Sequence, residues 1–208
     1  IALLKKIEGL KIDPIISAEL DLVAKRLEDS GWVIEEPKAP NFQEAAKFQA
    51  TLWLGEFRRT GGEAITKEND PDSNFIYSQM SRRCPDTSLE KFMDSLQQRA
   101  RISREWNKFF DQYPIILCPI TGDIPFPDLK DLESEESFDL VFDSMLPQIA
   151  PPYMGLPGLS FATSQTKQKI PLGVQFISRK FREDLLLNVG YDLETVSYTH
   201  LTLPTTEA

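Results

Sequence analysis

The amino-acid sequence predicts an α/β fold, a mixed β-sheet covered by helices, and three observations carry that expectation. Segments with apolar residues at helical spacing alternate from end to end with short apolar runs of strand character, as in helices layered on a sheet. The chain has 208 residues, 41% hydrophobic and 26% charged, enough to bury a core without disulfides or metals. Near its end, two strand-like runs flank a polar turn and read as a hairpin.

Ile1 to Leu4 reads as a buried strand. Asp13-Pro14 then announces a helix, Asp13 as N-cap and Pro14 in the first helical position, with Ile16, Leu20, Val23 and Leu27 on one face and Ser30-Gly31 at its end. Trp32 to Glu35 reads as a short strand stopped by Pro37. A second helix starts at Asn41, where Glu44 completes a capping box, and closes at Thr60-Gly61-Gly62. Residues 61 to 86 read as polar and irregular, with Asn69-Asp70-Pro71-Asp72 as a turn. A long helix opened by Thr87-x-x-Glu90 carries the stripe Phe92, Met93, Leu96, Ala100, Trp106 and Phe110, broken once around Ser103. The strand Ile115 to Cys118 follows, then the proline- and carboxylate-rich loop Pro119 to Ser137 and an amphipathic stretch from Phe138 to Leu146. Gly158 to Ala162 and Leu172 to Ile177 form the hairpin, and Arg182 to Glu194 the last helix.

Composition excludes several function classes. The net charge is −9, against the clustered cations that nucleic-acid binding requires. No apolar run reaches the roughly 18–20 residues that span a bilayer, and Ile1-Ala2-Leu3-Leu4 is too short for a secretory h-region; the expectation is a cytoplasmic protein. The chain opens at Ile1 inside an apolar run and is expected to be an excerpt of a longer one. A single histidine, His200, removes most His-dependent hydrolase and metal chemistry. Cys84 and Cys118 have no metal or redox spacing, and Cys118 is expected to be a buried small hydrophobe. No metal site and no cofactor are expected.

The segments Gly155-x-Pro157-x-x-Ser160, Pro171-x-Gly173-Val174-Gln175 and Glu183-Asp184-x-Leu186-Leu187 come in an order that resembles the end of the amidase signature family. Arg104-x-x-Trp106-x-x-Phe109-Phe110-Asp111-x-Tyr113, the strand to Pro119, and Ile124-Pro125-Phe126-Pro127 are similar to its preceding helix, strand and loop. Asp13 to Pro37 resembles a unit near the middle of such enzymes. Together these cover roughly residues 1 to 194, expected to form the incomplete C-terminal part of the amidase signature fold, one unit followed by a separate tail.

The resemblance implies hydrolysis of a carboxylic amide by a serine nucleophile, activated through a second serine and a lysine, with backbone N–H groups as oxyanion hole. A lysine held neutral takes the proton through the bridging serine, so no histidine is needed. The Gly/Ser-rich loop is absent here, and Ser78, Ser81, Ser88 and Lys91 stand outside the family's context, so no catalytic residue is transferred. Tyr153-Met154 replace the asparagine that many relatives carry before the Gly-x-Pro segment. The expected substrate-pocket residues are Pro119, Thr121, Gly155 and Pro157, and Gly61 to Pro85 forms either a further wall or an oligomer contact. The implied partner is a small-molecule amide, with no nucleic acid, no membrane, and a homodimer left open. The fragment is expected to be inactive alone; the alternatives are a scaffold domain sharing the fold and the amidase component of a tRNA-dependent amidotransferase. Residues 195 to 208 are Thr-rich, resemble a translated sequencing adapter, and are expected to be a non-native or disordered tail.

Overall fold

The computed structural model describes residues 1–199. Its elements follow from local signals. Asp13 Oδ1 accepts the Ile15 N–H at 2.7 Å and opens α1 (Pro14–Asp29) with Pro14 in its first turn. Asn41 Oδ1 accepts the Glu44 N–H at 2.9 Å and opens α2 (Phe42–Thr60). Two further helices follow, α3 (Gly62–Glu68) and α4 (Pro71–Arg83), then the long α5 (Leu89–Gln112). α6 (Glu135–Ser144), α7 (Leu146–Met154) and α8 (Glu183–Thr199) complete the helices.

The strands are β1 (Ala2–Leu3), β2 (Ile115–Pro119), β3 (Gly158–Gln165) and β4 (Pro171–Ser178), in the sheet order β1-β2-β4-β3. β1 runs parallel to β2, while β4 is antiparallel to both β2 and β3. The expected α/β architecture is therefore present: a mixed sheet between two helical layers. Alternation along β2 divides the core, since Ile116 and Cys118 join Phe42, Trp106 and Tyr153 beneath α2, α5 and α7. Ile115 and Leu117 join Leu20, Val23 and Leu186 beneath α1 and α8. With both faces covered, the strand reads as an uninterrupted apolar run.

Several expectations need correction. Most of residues 61–86 is helical, as α3 and α4, not irregular. Asn69 ends α3 in the left-handed region at φ 56°, and Asp70 caps α4 by accepting the Ser73 N–H at 2.8 Å; turns and helix junctions use the same residues for the same reason, local side-chain hydrogen bonds. α5 is capped by Ser88, one residue later than expected, and runs unbroken through Ser103. Its buried residues are Ser95, Ile102, Trp106 and Phe110, whereas Met93 and Leu96 are exposed. Trp32–Glu35 is no regular strand, but Glu35 bridges Ala2 in parallel. α8 runs on to Thr199, and the expectation for the tail lies, from residue 200 onward, outside the described residues, His200 included.

One carboxylate sits inside this frame. Glu19 is 7% exposed on the sheet-facing side of α1; Ser164 Oγ donates to its Oε2 at 2.9 Å, and its Oε1 is buried without a partner. A bulge between Ala162 and Ser164 shifts the alternation of β3, so Ser164 pairs with Leu172 and faces α1 with Phe161. Glu19→Met removes the buried charge and leaves exposed Ser164 to water. The expected result is a gain of about 1–2 kcal/mol in urea unfolding; a loss of stability would contradict this reading of the site.

Candidate functional site

In open α/β sheets ligands bind beyond the carboxyl ends of the parallel strands, here the loops after β1 and β2. Gly122 ties the two loops together. Its carbonyl accepts the Asp13 N–H at 2.8 Å and its N–H donates to the Ser144 carbonyl at 2.8 Å. A Cβ there would stand 2.4 Å from the Lys11 carbonyl oxygen, so only glycine permits the approach.

Two cavities open at this end. The larger, about 990 Å³, lies between α2, the α4–α5 connection, the start of α5 and the α6–α7 junction, and Gly9 of the loop after β1 reaches it. Ala46, Phe48, Phe142, Leu146 and Ile149 give it an apolar floor. Its volume falls at the upper end of small-molecule sites, roughly 300–1,000 Å³. Phe48 stacks on Tyr153 at 5.7 Å between ring centroids, and the buried Tyr153 hydroxyl donates to the Ser95 carbonyl. The charged wall is paired in part: Arg83 binds Asp143 as well as Asp139 at 2.7 Å, and Glu44 binds Arg101, which also binds Glu105, whereas Lys47, Lys91 and Asp94 line the cavity without an ion pair among the described residues. The Asp139 carboxyl is held below the usual carboxylate range by Arg83 and then Arg82. Its unfolded value is about 3.9, so this pairing is complete above that pH and is lost as pH falls through the lower folded value. The smaller cavity, about 330 Å³, lies beyond β2 and is lined by Ile16, Ile120, Thr121, Phe126, Gln148 and Leu172 among others.

α7 separates the two. Leu146 and Ile149 face the larger cavity while Gln148 faces the smaller, its Nε2 donating to the Ile120 carbonyl at 3.2 Å. Pro151 and Pro152 lie inside this helix. Pro151 has no N–H for the carbonyl four residues earlier, that of Pro147. The buried Gln175 of β4 fills the gap, its Nε2 donating to that carbonyl at 3.1 Å and lying 3.8 Å from Cys118 Sγ. The Cys118 thiol is pushed up to about 12 by burial, against the opposing effect of Gln175.

The expected pocket residues do not converge. Pro119 ends β2 and Thr121 lines the smaller cavity. Gly155 and Pro157 lie at the opposite end of the sheet: β3 runs parallel to β2, since both are antiparallel to β4, so its start faces away from the end of β2. Gly155 ends α7 at φ +66°, and the Pro157 carbonyl accepts the Ser178 N–H at 3.2 Å. The reading of Gly61 to Pro85 as a further wall has a counterpart in Arg83, Cys84 and Pro85, which line the larger cavity. Sequence reasoning missed Phe48, Ser95 and Ile149, which carry the signature of ordinary helical faces. Among the described residues no group of His, Cys, Asp or Glu is arranged to hold a metal ion, and no helix is long and apolar enough to cross a membrane.

Comparison with known proteins gives a consistent picture. A family model described as Amidase matches residues 1–187. An indoleacetamide hydrolase of Bradyrhizobium diazoefficiens is 26% identical over 195 residues, covering 93% of this chain and 37% of that protein. A glutamyl-tRNA(Gln) amidotransferase component from Rippkaea orientalis is 23% identical, covering 98% of this chain and 46% of that protein. Among solved structures, 6-aminohexanoate cyclic dimer hydrolase superposes with a TM-score of 0.74 at 15% identity, over 93% of this chain and 44% of that one. Fatty acid amide hydrolase gives 0.75 at 15% identity, over 94% and 39%. The chain thus spans less than half the length of each.

The compensation between Pro151 and Gln175 can be measured in a double-mutant cycle. Gln175→Leu alone strands the buried Pro147 carbonyl and is expected to cost about 1–3 kcal/mol. With Pro151→Ala in place, the helix supplies its own N–H, and the cost of Gln175→Leu should fall by at least half in urea unfolding. Equal costs in both backgrounds would show that the bond is incidental.

Proposed function

The chain belongs to the amidase family, and from that premise we propose that it is the C-terminal portion of an enzyme hydrolysing the C–N bond of a linear carboxylic amide. The reactive serines and lysine belong, on this reading, to the part of the enzyme preceding Ile1. Residues 1–194 supply one wall of the substrate site. The observation that carries the reading is the cavity of about 990 Å³ at the carboxyl ends of β1 and β2, whose floor is apolar. Such a surface fits the apolar part of an amide and provides nothing to attack it. A Ser–Ser–Lys mechanism requires a lysine kept neutral by burial. None of the lysines among the described residues is buried, and none of their ammonium groups hydrogen-bonds a serine hydroxyl there.

In the complete enzyme the lysine would draw the proton of the nucleophilic serine through the bridging serine as that oxygen attacks the amide carbon. Backbone N–H groups would hold the oxyanion, the amine would leave with the returned proton, and a water deprotonated along the same route would then cleave the acyl-serine ester, releasing the acid and returning the proton to the serine. Phe48, Leu146 and Ile149 would orient the acyl group and exclude water. The similarity to an indoleacetamide hydrolase over 93% of the chain makes an arylacetamide the first substrate to try. We place the protein in the cytoplasm, with a homodimer left open. A second reading, the amidase component of a tRNA-dependent amidotransferase, draws on matches such as that from Rippkaea orientalis; with a net charge of −9, this portion gives tRNA no basic surface.

Ammonia release from indoleacetamide tests the proposal. The chain alone should not exceed a buffer blank, and the chain joined behind the remaining portion of the Bradyrhizobium hydrolase should regain turnover. Turnover by the repurified chain alone, or a well-folded chimera that stays silent, would overturn the reading.

A further inference from the structure

We propose that α4, moving with α3, forms a lid at the edge of the larger cavity, latched to α6 by ion pairs more than by a packed core. The proposal takes that cavity to be the substrate site of the preceding section. α4 has no buried residue and α3 has only Gly62, whereas α2 and α7 each bury several large side chains. The space beneath α4 is poorly filled. A cavity of about 440 Å³ is lined by Ile76 and Met80 together with Phe57, Ile65 and Leu132, and a void of about 20 Å³ lies among Met80, Cys84, Trp53 and Phe142.

Apart from the edge-on contact of Tyr77 with Phe57 at 5.8 Å between ring centroids, what fastens the helix is charge. Arg82 pairs with Asp139 at 2.6 Å and Glu135 at 3.5 Å, and Arg83 pairs with Asp139 at 2.7 Å and with Asp143. The Arg83 guanidinium also lies over the Phe142 ring at 4.6 Å, yet its buried Nε has no hydrogen-bond partner, so the closed latch is incompletely satisfied. The pair has natural hinges: Gly61, which enters α3 without a side-chain cap, and the non-helical link from Cys84 to Ser88. Because Arg83, the last residue of α4, lines the larger cavity with its guanidinium over Phe142, a swing of α4 about these hinges uncovers that edge of it.

A lid held by partly exposed ion pairs opens as salt rises, whereas a lid held by apolar burial does not. The chain carries its own probe: Cys84 is half-buried under the end of α4, and Cys118, wholly buried with its thiol pushed up to about 12, is the internal control. Iodoacetamide is uncharged, so salt acts on the protein alone. Raising NaCl from about 0.1 to about 1 M shortens the Debye length from about 10 to about 3 Å and is expected to speed Cys84 alkylation about fivefold, with Cys118 untouched. Asp139→Asn and Arg83→Met should each show the fast rate at both salt levels; either variant suffices if the other fails to fold. A Cys84 rate that is flat or falls with salt overturns the lid, as does alkylation of Cys118 in step with Cys84, which would mean that α4 leaves only on global unfolding. The rates do not depend on catalysis, so a salt-opened lid beside a silent chimera would retain the lid and discard the hydrolase reading.

Discussion

The hydrogen bond from Gln175 Nε2 to the Pro147 carbonyl, 3.1 Å long, joins the sheet to the helix that separates the two cavities. Without it, Pro151 would leave a buried carbonyl unsatisfied in the first turn of α7. With it, Leu146 and Ile149 are presented to one cavity and Gln148 to the other. Gly122, laced to Asp13 and Ser144, holds the loops that frame the same end of the sheet. The binding surface is thus set by a few backbone carbonyls and the groups that satisfy them.

The two sides of the larger cavity are held by different physics. Its floor rests on the core around Phe42, Trp106 and Tyr153, whose burial is insensitive to salt. Its outer wall rests on Arg82 and Arg83 against the carboxylates of α6, individually weak and screened by ions.

Where a signal is local, it is legible in the sequence. Asp13-Pro14 and Asn41 open helices by caps that need no tertiary partner, and the strands at Gly158 and Leu172 form a hairpin because their partners are neighbours in the chain. Where two structures share one signal, the sequence misleads: Asn69-Asp70-Pro71 serves a turn and a helix junction equally. Pro151-Pro152 conceals α7 because the group that rescues the helix, Gln175, lies on another element. The stripe on α5 is misplaced by sequence alone because periodicity identifies an apolar face without saying what covers it, and Met93 and Leu96 remain exposed.

The site is legible only in part. Thr121 can be found because it follows a buried strand, but Gly155 and Pro157 are separated from it by strand directions that the sequence does not reveal. Phe48 and Ile149 give no signal, because residues lining a cavity between helices look like any core face. The central claim is that this cavity holds the apolar part of an amide. Its most direct test is the chemical-shift map of the isotopically labelled chain titrated with indoleacetamide. The account requires shifts clustered at Phe48, Thr51, Ser95, Leu146 and Ile149, which line that cavity. Shifts clustered elsewhere, or none at saturating ligand, would contradict it.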